Sequence, residues 1–117
     1  MSSHFISIEA AKSMTALYRS KKDDILDPAY QGQNILCLSE SFDSSSFVQL
    51  LSQTGATGLR FYFGMSEDLQ IHIIAVATDA SGNDIIPTSG GTNGMTGLLE
   101  FGIRCPPTCP PSPGSGL

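Results

Sequence analysis

The sequence predicts an α+β domain: an antiparallel meander of three to four strands packed on two helices, followed by a disordered Pro-rich tail. Residues 7–21 and about 44–53 have the apolar spacing of amphipathic helices, each preceded by a residue that can cap the first turn. Residues 59–63 and 70–78 are rich in aromatic and β-branched side chains and are separated by a short polar link. Strands joined by short links pair antiparallel, which predicts the meander.

The first helix is predicted from one apolar stripe and from charges at its ends. Ala10, Met14 and Leu17 recur at spacings of four and three residues, so they share one face. Ser7 precedes the helix as an N-cap, and three of the six basic residues fall at its C-terminal end, where cations are favoured.

The segment before the second helix is expected to be a loop, with one helical turn near residues 24–27 that Pro28 ends. Residues 35–38 are expected to be a short strand or an extended lead-in. Asp43 is the predicted N-cap of the second helix, where Phe42 and Phe47 form a hydrophobic staple. Gly55 is placed to end this helix in the left-handed conformation.

The strands are expected to have two different faces. Side chains alternate along a strand, so Leu59, Phe61 and Phe63 share the face predicted to pack on the helices. The segment 70–78 is apolar on both faces, which predicts a central strand. Residues 79–84 have the composition of a tight turn.

The rest of the chain is expected to be less regular. The glycine-rich segment 87–97 is interpreted as a flexible loop, and residues 98–103 as a last edge strand. Residues 1–104 are thus predicted to form one domain. Residues 105–117 contain five prolines and are expected to be an extended, polyproline-like tail.

The face opposite the helices is the candidate binding surface. Five residues are predicted to line it: Arg60, Tyr62, His72, Ile74 and Val76. Two helices cannot easily cover both faces of a sheet in 117 residues, so this face is expected to be partly wet or covered by a partner. Arginine and aromatic side chains around an apolar centre are typical of interfaces. The plainer interpretation is that Arg60 and Tyr62 only solvate an outer face.

The three cysteines do not predict a disulfide framework, because their number is odd. In a polyproline segment Cys105 and Cys109 would be separated by roughly 12 Å between Cα atoms. A disulfide needs less than about 7 Å, so a bend at Pro107–Thr108 would be required. In a reducing compartment all three cysteines would be thiols. No metal site and no cofactor are predicted, and whether Cys105 and Cys109 are free thiols, a disulfide or a metal site stays open.

Charge and hydropathy limit the partners. The net charge of −5 and the pI near 4.6 disfavour nucleic acid, whose phosphates an acidic surface repels. The longest apolar run, residues 71–77, is far shorter than the roughly 20 residues of a membrane helix, so no membrane partner is expected. The sequence begins without a secretory signal pattern, and a cytoplasmic location is the expectation.

Catalytic motifs are missing from the sequence, which contains no G-x-S-x-G and only two histidines. The leading hypothesis is a non-enzymatic protein-interaction module, in its simplest version a homodimer formed through the sheet. The alternative is a small-molecule-binding protein or minor enzyme with a pocket around Arg60, Tyr62 and His72, in which Arg60 holds an anion.

Three features carry a resemblance to a known family: the strand at Gly58–Gly64, the Asp79 to Asp84 turn, and the Cys-Pro-Pro-x-Cys tail. Together with the order of the predicted elements, they resemble a family of small uncharacterised proteins of Bacteroidetes bacteria. The resemblance implies a small bacterial protein of unknown function and supplies no catalytic residues.

Overall fold

The computed structural model describes residues 4–86, 99–110 and 117. Its α+β fold contains two helices, α1 (Ile8–Lys21) and α2 (Ser44–Leu51). Its strands are β1 (Ser39–Ser41), β2 (Gly58–Met65), β3 (Ile71–Thr78), β4 (Leu99–Phe101) and β5 (Ile103–Cys105). In the described part of the chain no helix is both long and apolar enough to cross a membrane.

The strands form two antiparallel sheets rather than one meander. One sheet has the order β2-β3-β4, so β3 is central, as predicted. The second sheet consists of β1 and β5 only. The predicted last strand at 98–103 is therefore two strands, separated at Gly102. A Cβ on Gly102 would meet Cβ of Glu40 and Cζ of Phe42, both at 2.8 Å, so only glycine fits between the two strands.

The core lies between α2 and one face of the three-stranded sheet. Leu50, Ala75 and Ala77 have no exposed surface and pack together. Phe61 stacks against Phe42 and Phe47, the staple residues, with ring centroids 6.3 and 6.0 Å away. The prediction that this face packs on a helix is confirmed for α2.

Helix α1 begins as predicted but buries less than predicted. Ser7 accepts a hydrogen bond from the Ala10 amide at 3.0 Å, as an N-cap does. No residue of α1 is buried, and the stripe residues Met14 and Leu17 are 66% and 62% exposed. The expectation that both helices cover the sheet was therefore wrong for α1, whose Tyr18 hydroxyl instead donates to the Cys37 carbonyl at 2.5 Å.

Two local predictions before α2 are corrected. Pro28 begins a 3-10 helix, Pro28–Tyr30, instead of ending a helical turn, because proline needs no hydrogen-bond acceptor at a first helical position. Residues 35–38 are not a strand, since β1 begins at Ser39, where pairing with Cys105 becomes available. Asp43 precedes α2 as predicted.

The C-terminal segment is not extended where it follows β5. Cys105 is the last residue of β5 and is buried, and residues 106–108 form a turn closed by a hydrogen bond from Thr108 to the Arg104 carbonyl at 3.0 Å. This turn brings the Cα atoms of Cys105 and Cys109 to 4.7 Å, and the two cysteines form a disulfide. The turn supplies the bend that a disulfide was expected to require here, and Cys37 is the remaining free cysteine. The glycine-rich segment 87–97 lies outside the described residues.

Candidate functional site

The five predicted site residues share one face of the three-stranded sheet. The register of β2 and β3 places Arg60 opposite Val76 and Tyr62 opposite Ile74. His72 lies opposite Gly64 in the same ladder. Directly opposed residues of an antiparallel pair point to the same side, so the predicted grouping matches the register.

At one end of this face, Arg60 and Tyr62 converge on Asp84. Arg60 Nη1 forms an ion pair with Asp84 Oδ1, and Arg60 Nη2 donates to the Gly82 carbonyl at 3.0 Å. The Tyr62 hydroxyl donates to Asp84 Oδ2. The hydrogen bond to Asp84, and next the interaction with the neighbouring Tyr62 side chain, raise the pKa of Arg60. The guanidinium is thus engaged by its own chain, which leaves it less available for an anion.

Sequence reasoning placed Asp84 in a turn and missed its role as the partner of Arg60. The turn positions it. Asp79 Oδ1 accepts hydrogen bonds from the Ser81 and Asn83 amides, each at 2.9 Å, and Gly82 takes a positive φ of 86°. The chain then returns beside β3, where Asp84 bridges to Thr78.

The centre of the predicted face is closed. Val76 has no exposed surface, Ile74 is half-buried, and the His72 side chain is 15% exposed. An open apolar surface was expected here, and the structure leaves only Arg60 and Tyr62 well exposed on this face. In the part of the chain that the structure describes, Arg60 and Tyr62 lie beside buried residues, and they do not line a pocket.

A buried polar junction, which sequence reasoning did not single out, joins the two sheets. The Glu40 side chain has no exposed surface, and its Oε1 accepts the Ile73 amide hydrogen bond at 2.7 Å. The same oxygen lies 4.0 Å from His72 Nδ1. On β5, Arg104 Nε donates to the Ile71 carbonyl at 3.0 Å, and its Nη2 donates to the Asn34 and Ile35 carbonyls.

The junction supplies hydrogen-bond partners to the backbone of β3 where β4 no longer pairs with it. Ile71 donates its amide to the Ile35 carbonyl at 2.9 Å, and side chains of Glu40 and Arg104 satisfy the next backbone groups. Buried main-chain groups need such partners. The contacts of Glu40 and Arg104 are therefore explained by the structure of the sheet. Glu40 and Arg104 stand opposite each other on β1 and β5. A buried acidic and basic residue so far apart in sequence leave no local pattern that would predict their contact.

Among the described residues, the opposite edge of the sheet, along β2, has no strand beside it. In the described part of the chain β2 pairs with β3 alone. Ile71 and Ile73 direct their amides away from β2, so the even-numbered residues of β3 bond to β2. Four residues of β2 then direct both backbone groups outward: Leu59, Phe61, Phe63 and Met65.

The open edge carries large exposed side chains. Phe63 is 79% exposed, Met65 60%, Phe61 47% and Tyr62 46%. Natural edge strands are usually short, or protected by lysine, proline or bulges. β2 has eight residues in unbroken register with β3, and it contains neither lysine nor proline. A long strand of this composition is a template for pairing with another strand.

A second apolar surface lies on α1. An open groove there is lined by Met14, Leu17, Tyr18, Lys21, Lys22 and Ile25. Its lining is apolar with two lysines at the rim, and it is separate from the sheet residues. Nothing in its geometry brings together groups for catalysis.

Comparison of the chain with protein-family models, with curated proteins and with solved structures finds no match.

Proposed function

We propose that this chain is a protein-interaction module that binds an extended protein segment along the open edge of β2. The observation that supports the proposal is the eight-residue strand Gly58–Met65, which is paired on one side only within the described part of the chain. Strand addition obtains its affinity from main-chain hydrogen bonds and its specificity from alternate side chains.

The side chains of β2 suit this role on both faces. On the helix-facing side Phe61 and Phe63 expose apolar surface, and on the other side Tyr62 exposes part of its ring. Exposed aromatic side chains are the anchors that interfaces most often use. Association through the closed face around Val76 has less support, and so has an anion pocket at Arg60, because Asp84 already binds the guanidinium.

A peptide that copies residues 58–65 tests the proposal. We expect its addition to the labelled protein to slow amide hydrogen exchange at Leu59, Phe61, Phe63 and Met65, which direct their amides outward. Exchange at Arg60 and Tyr62 should change little, because these amides already bond to β3. The measurement is residue-resolved exchange by NMR.

The matched control is the same peptide with proline at the positions of Phe61 and Phe63. It lacks donors that strand pairing needs and should not protect the protein. Protection by both peptides, or changes confined to other parts of the chain, would overturn strand addition along β2.

A further inference from the structure

We infer that the segment that binds β2 is β2 of a second copy of this chain. The two strands pair antiparallel, and their two-fold axis lies midway between the two Tyr62 residues. This inference rests on the proposed strand addition and names its partner. The resulting sheet would be continuous across both copies, in the order β4-β3-β2-β2-β3-β4, with both α2 helices on the same side.

The backbone groups of β2 are complementary to themselves in this register. A two-fold axis at Tyr62 places Phe61 opposite Phe63 of the second copy, and Leu59 opposite Met65. All four residues direct their backbone groups outward, so each opposed pair exchanges two hydrogen bonds. The two copies together would form about eight hydrogen bonds, using every outward group of the strand.

The side chains also match in this register. On the helix-facing side each apolar residue meets another apolar residue. On the other side Tyr62 meets Tyr62, and Arg60 meets Gly64 of the second copy. No two like charges stand directly opposite, which is the arrangement that antiparallel pairs favour.

The charge distribution favours a second copy at this strand over other surfaces. The chain has a net charge of −5, so two copies repel each other in general. β2 has no carboxylate, and Asp84 balances the charge of Arg60, its only charged residue. The strand is therefore an electrically neutral strip on an acidic molecule.

The exposed area is of the size that a weak dimer needs. Phe61, Tyr62, Phe63 and Met65 have 46–79% of their surface exposed. At roughly 200 Å² for each full side chain, burial of these fractions removes about 450 Å² per copy and about 900 Å² in total. Specific interfaces begin near 1,200 Å², so we expect a concentration-dependent dimer rather than an obligate one.

Hydrodynamic mass over the micromolar to millimolar range tests the dimer. The wild-type chain should approach twice the monomer mass as its concentration rises. Phe63→Lys places a charge on the strand edge and should raise the dimer dissociation constant at least about tenfold. Val48→Lys is the matched control, because Val48 is a 65% exposed apolar residue of α2, and it should leave the constant unchanged.

A cysteine pair tests the register. In a C37S background, Tyr62→Cys should form a disulfide-linked dimer under mild oxidation, because opposed residues of this kind have Cα atoms about 4.5 Å apart. Phe63→Cys should not, since Phe63 and its copy are diagonal neighbours about 7–8 Å apart.

A monomer at every concentration would overturn the second-copy inference. The proposed function would still stand if the peptide protects the outward amides of β2. A dimer in which Tyr62→Cys does not cross-link would overturn the register. Equal weakening by Phe63→Lys and Val48→Lys would overturn the assignment of the interface to β2.

Discussion

Among single side chains, Glu40 has the most unusual position, because it stands where a neighbouring strand would otherwise be. Its carboxylate accepts the amide of Ile73 and is shielded from water on all sides. Gly102 leaves room for it, and a larger residue there would collide with it. The side chain thus replaces a backbone acceptor at the end of β4.

We expect Glu40→Ala to destabilise the protein by about 1–3 kcal/mol, because it leaves the buried Ile73 amide without an acceptor. The free energy of unfolding from urea denaturation measures the effect. Glu67→Ala, at an exposed loop carboxylate, should change stability by less than about 0.5 kcal/mol. Equal effects of the two substitutions would contradict the role given to Glu40.

Among the local elements, the turn after β3 agrees best with its prediction. It also positions Asp84, whose contact with Arg60 was not predicted. The turn predicted at residues 79–84 is confirmed by the hydrogen bonds of Asp79 and the positive φ of Gly82. That Asp84 then binds Arg60 could not be predicted, because it depends on how far the chain returns along β3.

The same turn should respond to acid. Hydrogen bonds from the Asn83 amide, and then from Ser81, lower the pKa of Asp79. Because the folded pKa lies below the unfolded one, Asp79 stabilises the turn fully above about pH 3.9, and this contribution is lost as the pH falls through the lowered pKa.

An NMR titration of the Asp79 carboxyl carbon and the Asn83 amide measures this response. Both signals should titrate together, with a midpoint below about 3.9. In Asp79→Asn, which keeps an acceptor oxygen without the ionisable group, the Asn83 signal should lose this midpoint. A wild-type midpoint at or above about 3.9 would contradict the hydrogen-bonding explanation.

Helix and strand positions were predictable where one local pattern decides them. Examples of such local signals are the Ser7 cap, the position of Asp43 before α2 (where its side chain makes no capping hydrogen bond) and the alternation of β2. The strands β1 and β5 were not predictable in the same way, since three-residue strands exist only because each has the other as a partner. Their pairing joins residues more than sixty positions apart, which periodicity does not report.

At the scale of the whole molecule, the disulfide fixes the end of the second sheet. Cys105 is buried in β5, where its carbonyl accepts the Leu38 amide at 2.7 Å. Its bond to Cys109 closes a loop over the turn. An extended tail was expected because prolines favour polyproline structure, and the turn that overrides this preference depends on contacts with β5.

We expect Cys109→Ser to lower the free energy of unfolding by about 2 kcal/mol, the loop-closure value for so short a ring. Reduction of the wild-type protein should have the same effect, and should add nothing in the variant. Urea denaturation with and without a dithiol measures both. Cys37→Ser, which affects the free thiol, is the control, and a loss as large as that of Cys109→Ser would contradict the assignment.

The candidate surface was only partly predictable at this scale. The grouping of Arg60 and Tyr62 on one face follows from alternation alone. The burial of Val76 and the unpaired edge of β2 depend on the order of the described strands in the sheet. That order cannot be read from the sequence. The prediction therefore named a strand that exposes aromatic side chains, and it concerned the face of that strand rather than its edge.

The junction of Glu40 and Arg104 also bears on the order in which the chain folds. The β2–β3 hairpin joins near neighbours in sequence, and short loops close with little loss of entropy. The Arg104 contacts with Asn34 and Ile35 span about seventy residues, so they form at a higher entropic cost. We therefore expect the hairpin to form first and the two-stranded sheet to form late, so that the sheet slows unfolding more than it speeds folding.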